Sequence, residues 1–386
     1  MADQALNIQP VIDWLIDGAR PARLPGDVLL EACRRTVAAG LPLYRVGVFV
    51  RTLHPNMLGR GFVWQADRNT VEVNEAPNDL LESEVFLKSP IRVVFMQHVE
   101  VRRCLADPAC PMDFPILEDL RNEAATDFVA LPLRFVDGEV HCATFATRRA
   151  GGFRDSDLEA LRRLIAPFTR MVEIFGNMRK ARNILEAYLG PSAGEKVLAG
   201  QIKRGDGEEI RAVIWFCDLR DSTPLADSMS REAFLRLLNE YFECVLGPVQ
   251  ERGGEILRFI GDAALAIFPI GSQPAAVACA KALDAARESI SRMKKLNENR
   301  AVPLGFGIGL HLGLVLYGNI GTPTRIEFTV IGAAANEAAR IESLCKNLQV
   351  DLVMSEQVAR NLAVPARSLG RHSLRGVGEP IELFAL

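Results

Sequence analysis

The run Ala212-Val213-Ile214-Trp215-Phe216-Cys217 leads into Asp218-Leu219-Arg220-Asp221-Ser222-Thr223. A second stretch, Phe259-Ile260-Gly261-Asp262-Ala263-Ala264-Leu265-Ala266, has the same character. A continuous apolar run of this length suits a strand buried on both faces. An aspartate at the exit of such a strand is hard to explain as packing. Asp262 falls in a Gly-Asp turn between two apolar strands, 255–260 and 263–268. Taken singly, Asp218 reads as a helix cap and Asp262 as a turn residue. In a sheet where the first strand neighbours the hairpin, the two carboxylates lie side by side. They then repel and shift each other's pKa, a conflict that hard divalent cations relieve.

Outward from these strands the pattern is strand, helix, hairpin, helix, strand, strand, helix. Helices are expected at 231–252, 274–298 and 333–347. Further strands are expected at 304–316 and 326–331, with a turn region at 318–323, and a strand pair at 368–374 and 381–386 closes the chain. Residues 301–324 carry no charge, but Gly305, Gly307, Gly309, His311 and Gly313 fall on alternate positions between apolar neighbours. That period of two favours a strand over a membrane-spanning helix. Its glycine face lets backbone or ligand approach closely.

The first half reads as a small α+β module. Two short helices are expected within 9–40, then strands at 44–53, 61–73 and 91–99. Strands at 128–135 and 140–147 flank Asp137-Gly138, a hairpin turn pair. Ser156 with Glu159 reads as a capping box that starts a helix. The positions Leu158, Leu161, Ile165, Phe168, Val172 and Phe175 then step by three and four, as in a coiled-coil seam. This seam either couples two chains or closes the first domain. Pro167 interrupts it, so a kink or a restarted helix is expected there. The polar, glycine-punctuated stretch 176–211 holds one short helix. Cys33, His54, His98 and His141 are too scattered to form a ligand set and read as structural.

The bulk properties narrow the classes. The 386 residues suffice for two domains, and a net charge of -3 argues against nucleic acid and anionic membrane as partners. None of the eight cysteines forms a CxxC pair. They read as reduced core residues of a cytosolic protein, with a Cys104–Cys110 loop disulfide the one conceivable bridge. The N-terminus lacks the basic start and apolar core of a secretory signal.

Four segments in order, around Asp218, around Asp262, Gly307-Ile308-Gly309-Leu310-His311-Leu312-Gly313, and Phe328-Thr329-Val330-Ile331-Gly332 through Asn336 and Arg340, resemble the class III nucleotidyl cyclase catalytic domain. The resemblance covers 208–386. It implies an α+β, ferredoxin-like fold and a homodimer with active sites at the interface, the aspartates coming from one chain and Asn336 and Arg340 from the other. It also implies two Mg2+ or Mn2+ ions per site, held by Asp218, Asp262 and the Leu219 carbonyl. One ion would lower the pKa of the ribose 3'-hydroxyl and the other would grip the triphosphate. Asn336 would orient the ribose, and Arg340 would meet charge growing on the α-phosphate. Arg258 stands where ATP-specific members carry lysine, and Thr329 fills the partner position. No glutamate-plus-cysteine pair of the guanylate type occupies these two positions. Arg375 is a candidate phosphate contact.

Residues 1–172 resemble a GAF-like or PAS-like sensor, with 173–207 as a helical linker. The expectation is a cytoplasmic adenylate cyclase that binds ATP and is regulated by an unidentified ligand on its first domain. The alternatives are a non-catalytic nucleotide-binding or dimerisation module, and a guanylate cyclase. Asp221-Ser222 replaces the family's usual glycine and phenylalanine. An added carboxylate beside a triphosphate is unfavourable unless it turns away or meets a cation, so low or manganese-dependent activity is expected.

Overall fold

The computed structural model describes residues 6–55 and 57–386. The chain divides into two compact units, one ending at Ala187 and the other spanning Tyr188–Leu386.

In the first unit the strands are β1 (Arg45–Arg51), β2 (Met57–Gln65), β3 (Thr70–Pro77), β4 (Val101–Arg103), β5 (Asp127–Arg134) and β6 (Val140–Thr147). They form one antiparallel sheet in the order β3-β2-β1-β6-β5-β4. Helices Gln9–Ile16, Pro25–Ala38 and the start of Asp155–Leu189 cover one face, and Pro90–Gln97 and Pro115–Asn122 cover the other. The 137–138 hairpin is present, with Gly138 in the left-handed region at φ 88°.

Three expectations change here. Residues 91–99 form most of a helix, not a strand. Ser89 Oγ accepts from the Arg92 amide and Pro90 opens the first turn, so the cap outweighs the β-branched Ile91, Val93 and Val94. The stretch 61–73 is parts of two strands joined at a turn, where Asn69 has φ 50°. The helix at Asp155–Leu189 begins one residue before Ser156, and Asp157 accepts from the Arg154 amide at 2.6 Å. The capping box is therefore not formed.

That helix runs unbroken through Pro167 to Leu189, so no second helix restarts there. The missing N–H costs one internal hydrogen bond. Two residues on, the Thr169 hydroxyl donates to the Ile165 carbonyl at 2.6 Å. Leu158, Leu161 and Phe168 are buried in the first unit's own core, with Ile165, Val172 and Phe175 packed against it. The anticipated seam thus packs on the first domain. The polar stretch that follows holds the end of this helix and a short one, Pro191–Leu198.

His141 of β6 is fully buried. Its Nδ1 accepts from the Arg51 amide at 3.2 Å, and its ring centroid lies 4.2 Å from that of Phe135. Burial pushes its pKa down to about 4, against the opposing pull of Glu139. The folded state therefore holds it neutral while the unfolded chain takes up a proton near its ordinary value of 6.5. Stability is retained above pH 6.5 and declines as pH falls toward 4, by about 3 kcal/mol in all. His141→Gln should flatten that acid loss in urea unfolding of the full chain. An unchanged pH slope would refute the assignment.

The second unit contains β7 (Gly207–Leu219), β8 (Glu255–Ile260), β9 (Ala263–Pro269), β10 (Phe306–Gly321), β11 (Ile326–Ile331), β12 (Leu352–Ser355), β13 (Arg367–His372) and β14 (Ile381–Ala385). The sheet order is β13-β14-β12-β10-β7-β9-β8, with β11 on β10. The central four, β10-β7-β9-β8, with helix Arg231–Glu251 after β7 and helix Ala275–Glu298 after β9, are a ferredoxin-like βαββαβ arrangement. β7 is bonded on both edges. Val213, Trp215, Cys217 and Leu219 face the two long helices, while Ala212 and Ile214 face the helix Ala333–Leu348. Buried β12 was not anticipated, because four residues are too few to show a period.

The glycines of β10 meet helix Ala333–Leu348 directly. A Cβ at Gly309 would lie 2.6 Å from both the Ala338 carbonyl oxygen and the Glu342 amide nitrogen, and one at Gly313 would lie 2.4 Å from Ala334 Cβ. Backbone, not ligand, takes the space. Gly309→Ala should lower stability by about 1–3 kcal/mol, read from the urea midpoint.

Candidate active site

β7 delivers Asp218 to the sheet edge directly opposite Ala263, the residue after Asp262. The β8–β9 turn is Gly261-Asp262, and Gly261 adopts φ 65°, which suits the first central position of a tight hairpin. The two carboxyls meet. Asp218 is pushed up to about 6, first by burial, then by the charge of Asp262 and a hydrogen bond to it. Glu342, buried on helix Ala333–Leu348, joins them. Burial raises it to about 7, with Asp218 next and Arg220 opposing. The two converging aspartates are hard oxygen donors, which fit Mg2+ or Mn2+, and Glu342 adds to the negative field behind them. Among the described residues, no group of three or more His, Cys, Asp or Glu side chains is arranged to hold a metal ion. The remaining ligands of such an ion would come from backbone, water or substrate. Leu219 has its side chain in the core and can offer only its carbonyl.

Asn336 is exposed and Arg340 half-buried, one turn apart on the same helix. Arg340 lies against Gly376, beside exposed Arg375. It has no ion pair. Glu337, one potential partner, instead lies 3.0 Å from His311 Nε2, and Glu342, the other, faces the aspartates. A half-buried guanidinium without a carboxylate is a ready phosphate ligand.

Arg258 is held in a two-pronged ion pair by Glu327, which the sequence reading overlooked. Thr329 is buried, and its hydroxyl has no hydrogen-bond partner among the described residues. Alternation along β11 puts Glu327 and Thr329 on one face, a signal that was there to be used. Asp221, left-handed at φ 55°, meets Lys346 Nζ at 2.8 Å, so the carboxylate out of place in this loop finds a cation. A cleft of about 400 Å³ lined by Lys196, Tyr317, Asn319 and Phe328 includes none of these site residues.

The family model for the adenylate and guanylate cyclase catalytic domain matches residues 208–386. Those residues form a cyclase catalytic domain. The chain is 32% identical over 225 residues to an adenylate cyclase of Anabaena cylindrica, covering 55% of this chain and 43% of that protein. An uncharacterized protein of Mycobacterium tuberculosis is 34% identical over 223 residues, 56% of this chain and 40% of the relative. The chain thus spans less than half the length of these relatives. The crystal structure of the adenylyl cyclase CyaB from P. aeruginosa superposes with a TM-score of 0.43 at 24% identity, covering 46% of this chain and 94% of that one. The cyclase domain therefore contains the convergent aspartates, the Asn336–Arg340 helix face and the Arg258–Glu327 pair within one family match.

Proposed function

We propose that the chain is an adenylate cyclase, forming 3',5'-cyclic AMP and pyrophosphate from ATP. The observation that carries this reading is the convergence of Asp218 with Asp262, together with an Arg340 that has no carboxylate partner among the described residues. Two Mg2+ or Mn2+ ions held by Asp218, Asp262 and the Leu219 carbonyl would supply the charge that acidifies the ribose 3'-hydroxyl and binds the triphosphate. Asn336 orients the ribose. Arg340 donates to the α-phosphate oxygens as the 3'-oxygen bonds to phosphorus and pyrophosphate departs. Arg258 and Thr329 meet the base, and Arg375 adds a phosphate contact.

A homodimer is part of the proposal. No hydrogen bond or ion pair joins Asn336 or Arg340 to Asp218 or Asp262 within the described residues. Phe259 and Ile260, next to Asp262, are 56% and 46% exposed, and Leu314, Leu316 and Ile331 are exposed on β10 and β11. On the long helix, Ile174, Met178 and Tyr188 are also exposed. These apolar surfaces fit a second copy of the chain. We assign the first unit a regulatory role, supported by the continuous helix that leads out of it. Among the described residues no helix is long and apolar enough to cross a membrane, which is compatible with a cytoplasmic site of action.

The test incubates purified chain with ATP or GTP, with Mg2+ or Mn2+, and quantifies cyclic nucleotide and pyrophosphate. Cyclic AMP formation supports the proposal. Cyclic GMP alone would make it a guanylate cyclase. No cyclic product with either nucleotide under both metals would favour a nucleotide-binding module.

A further inference from the structure

We infer that His311 is a positioning residue that keeps Arg340 free for phosphate by holding Glu337 away from it. This deepens the cyclase reading above and rests on it. Glu337 and Arg340 stand three apart on helix Ala333–Leu348, where a carboxylate and a guanidinium are neighbours and tend to pair. Such a pair would set a negative charge beside an arginine that has to receive phosphate. Glu337 turns instead to β10, with its Oε2 3.0 Å from His311 Nε2. Arg340 lies against Gly376 and makes no ion pair among the described residues.

The surroundings of His311 support this role. Gly307, Gly309 and Gly313 lie on the face of β10 that meets the helix, and His311 is the one side chain among them. The track is bare except where it reaches Glu337. The imidazole is buried, and its Nδ1 has no hydrogen-bond partner among the described residues. Packing alone would be served by an apolar side chain without that cost. Burial pushes the His311 pKa below its ordinary 6.5, against the pull of Glu337. A neutral imidazole has a single N–H, and the contact with Glu337 assigns it to Nε2. Nδ1 is then the bare acceptor, and the only proton of the ring is spent on Glu337.

The experiment measures kcat and KM of the full chain for ATP, with equilibrium binding of ATP in Mn2+ in parallel. His311→Leu should lower kcat by roughly 5- to 10-fold with a smaller change in KM, because the released carboxylate moves toward the phosphate site. His311→Gln, whose amide can still donate to Glu337, should keep most of the activity. With Glu337→Gln already present, adding His311→Leu should change kcat by less than about 2-fold. A loss of packing would instead lower kcat equally on both backgrounds, and that result would overturn the inference. So would a His311→Leu kcat within about 2-fold of wild type, or an equal loss in His311→Gln. If the wild-type chain forms no cyclic nucleotide, the cyclase reading fails by itself. The inference then stands or falls on ATP dissociation constants. His311→Leu should weaken binding by roughly 3-fold alone, and not at all beside Glu337→Gln.

Discussion

Replacing Asp262 by alanine is expected to reduce cyclic nucleotide formation by about 1,000-fold or more. Asp262 and Asp218 are the two carboxyls that converge where β7 and the β8–β9 turn meet. Removing one leaves an ion site with half its carboxylate charge. The fold should survive, because Asp262 sits in an exposed turn opened by Gly261 and supports no core contact. Turnover under saturating Mn2+ is the measurement, with far-ultraviolet circular dichroism to verify folding. Retention of more than about a tenth of the activity would rule out the two-carboxylate metal site.

Arg340→Ala is expected to lower kcat by about 100- to 1,000-fold with a smaller change in KM, since its charge is matched best in the transition state. Lysine should rescue poorly, because an ammonium lacks the planar fork. The two variants also test the dimer. In a homodimer with shared sites, a mixture of Asp262→Ala and Arg340→Ala chains forms mixed pairs with one intact site. Subunit exchange should then restore about a quarter of wild-type activity. No recovery after demonstrated exchange would place all four residues in one chain's site.

Much of the candidate site was legible because it breaks local rules. Asp218 and Asp262 stand at the ends of apolar runs, where a solvent-seeking group has no packing reason to be. Asn336 and Arg340 were legible by their spacing on a helix. What escaped were residues whose meaning depends on a distant partner. Glu327 looks like an ordinary strand residue until Arg258, far away in sequence, is placed against it. Glu342 reads as a solvated helix carboxylate, yet the missing side chains on β10 draw it inward toward Asp218. For the fold, alternation located the long strands, whereas 90–97 deceived because three β-branched residues obscured the Ser89-Pro90 helix start. Pro167 deceived in the opposite sense, since a helix packed on both sides of the proline tolerates one lost hydrogen bond.

The bare glycine track of β10 has a mechanical consequence. At Gly309 the helix bearing Asn336 and Arg340 rests directly on main chain, and main chain does not compress. The same strand is laced to β7, which bears Asp218. Arg340 and Asp218 of one polypeptide are thus cast as a single piece. If the chain is dimeric and the first unit regulatory, as proposed above, a signal from that unit finds little to loosen between this helix and the sheet. It must act by altering how two such castings are set against each other, as a vice is opened without bending its jaws.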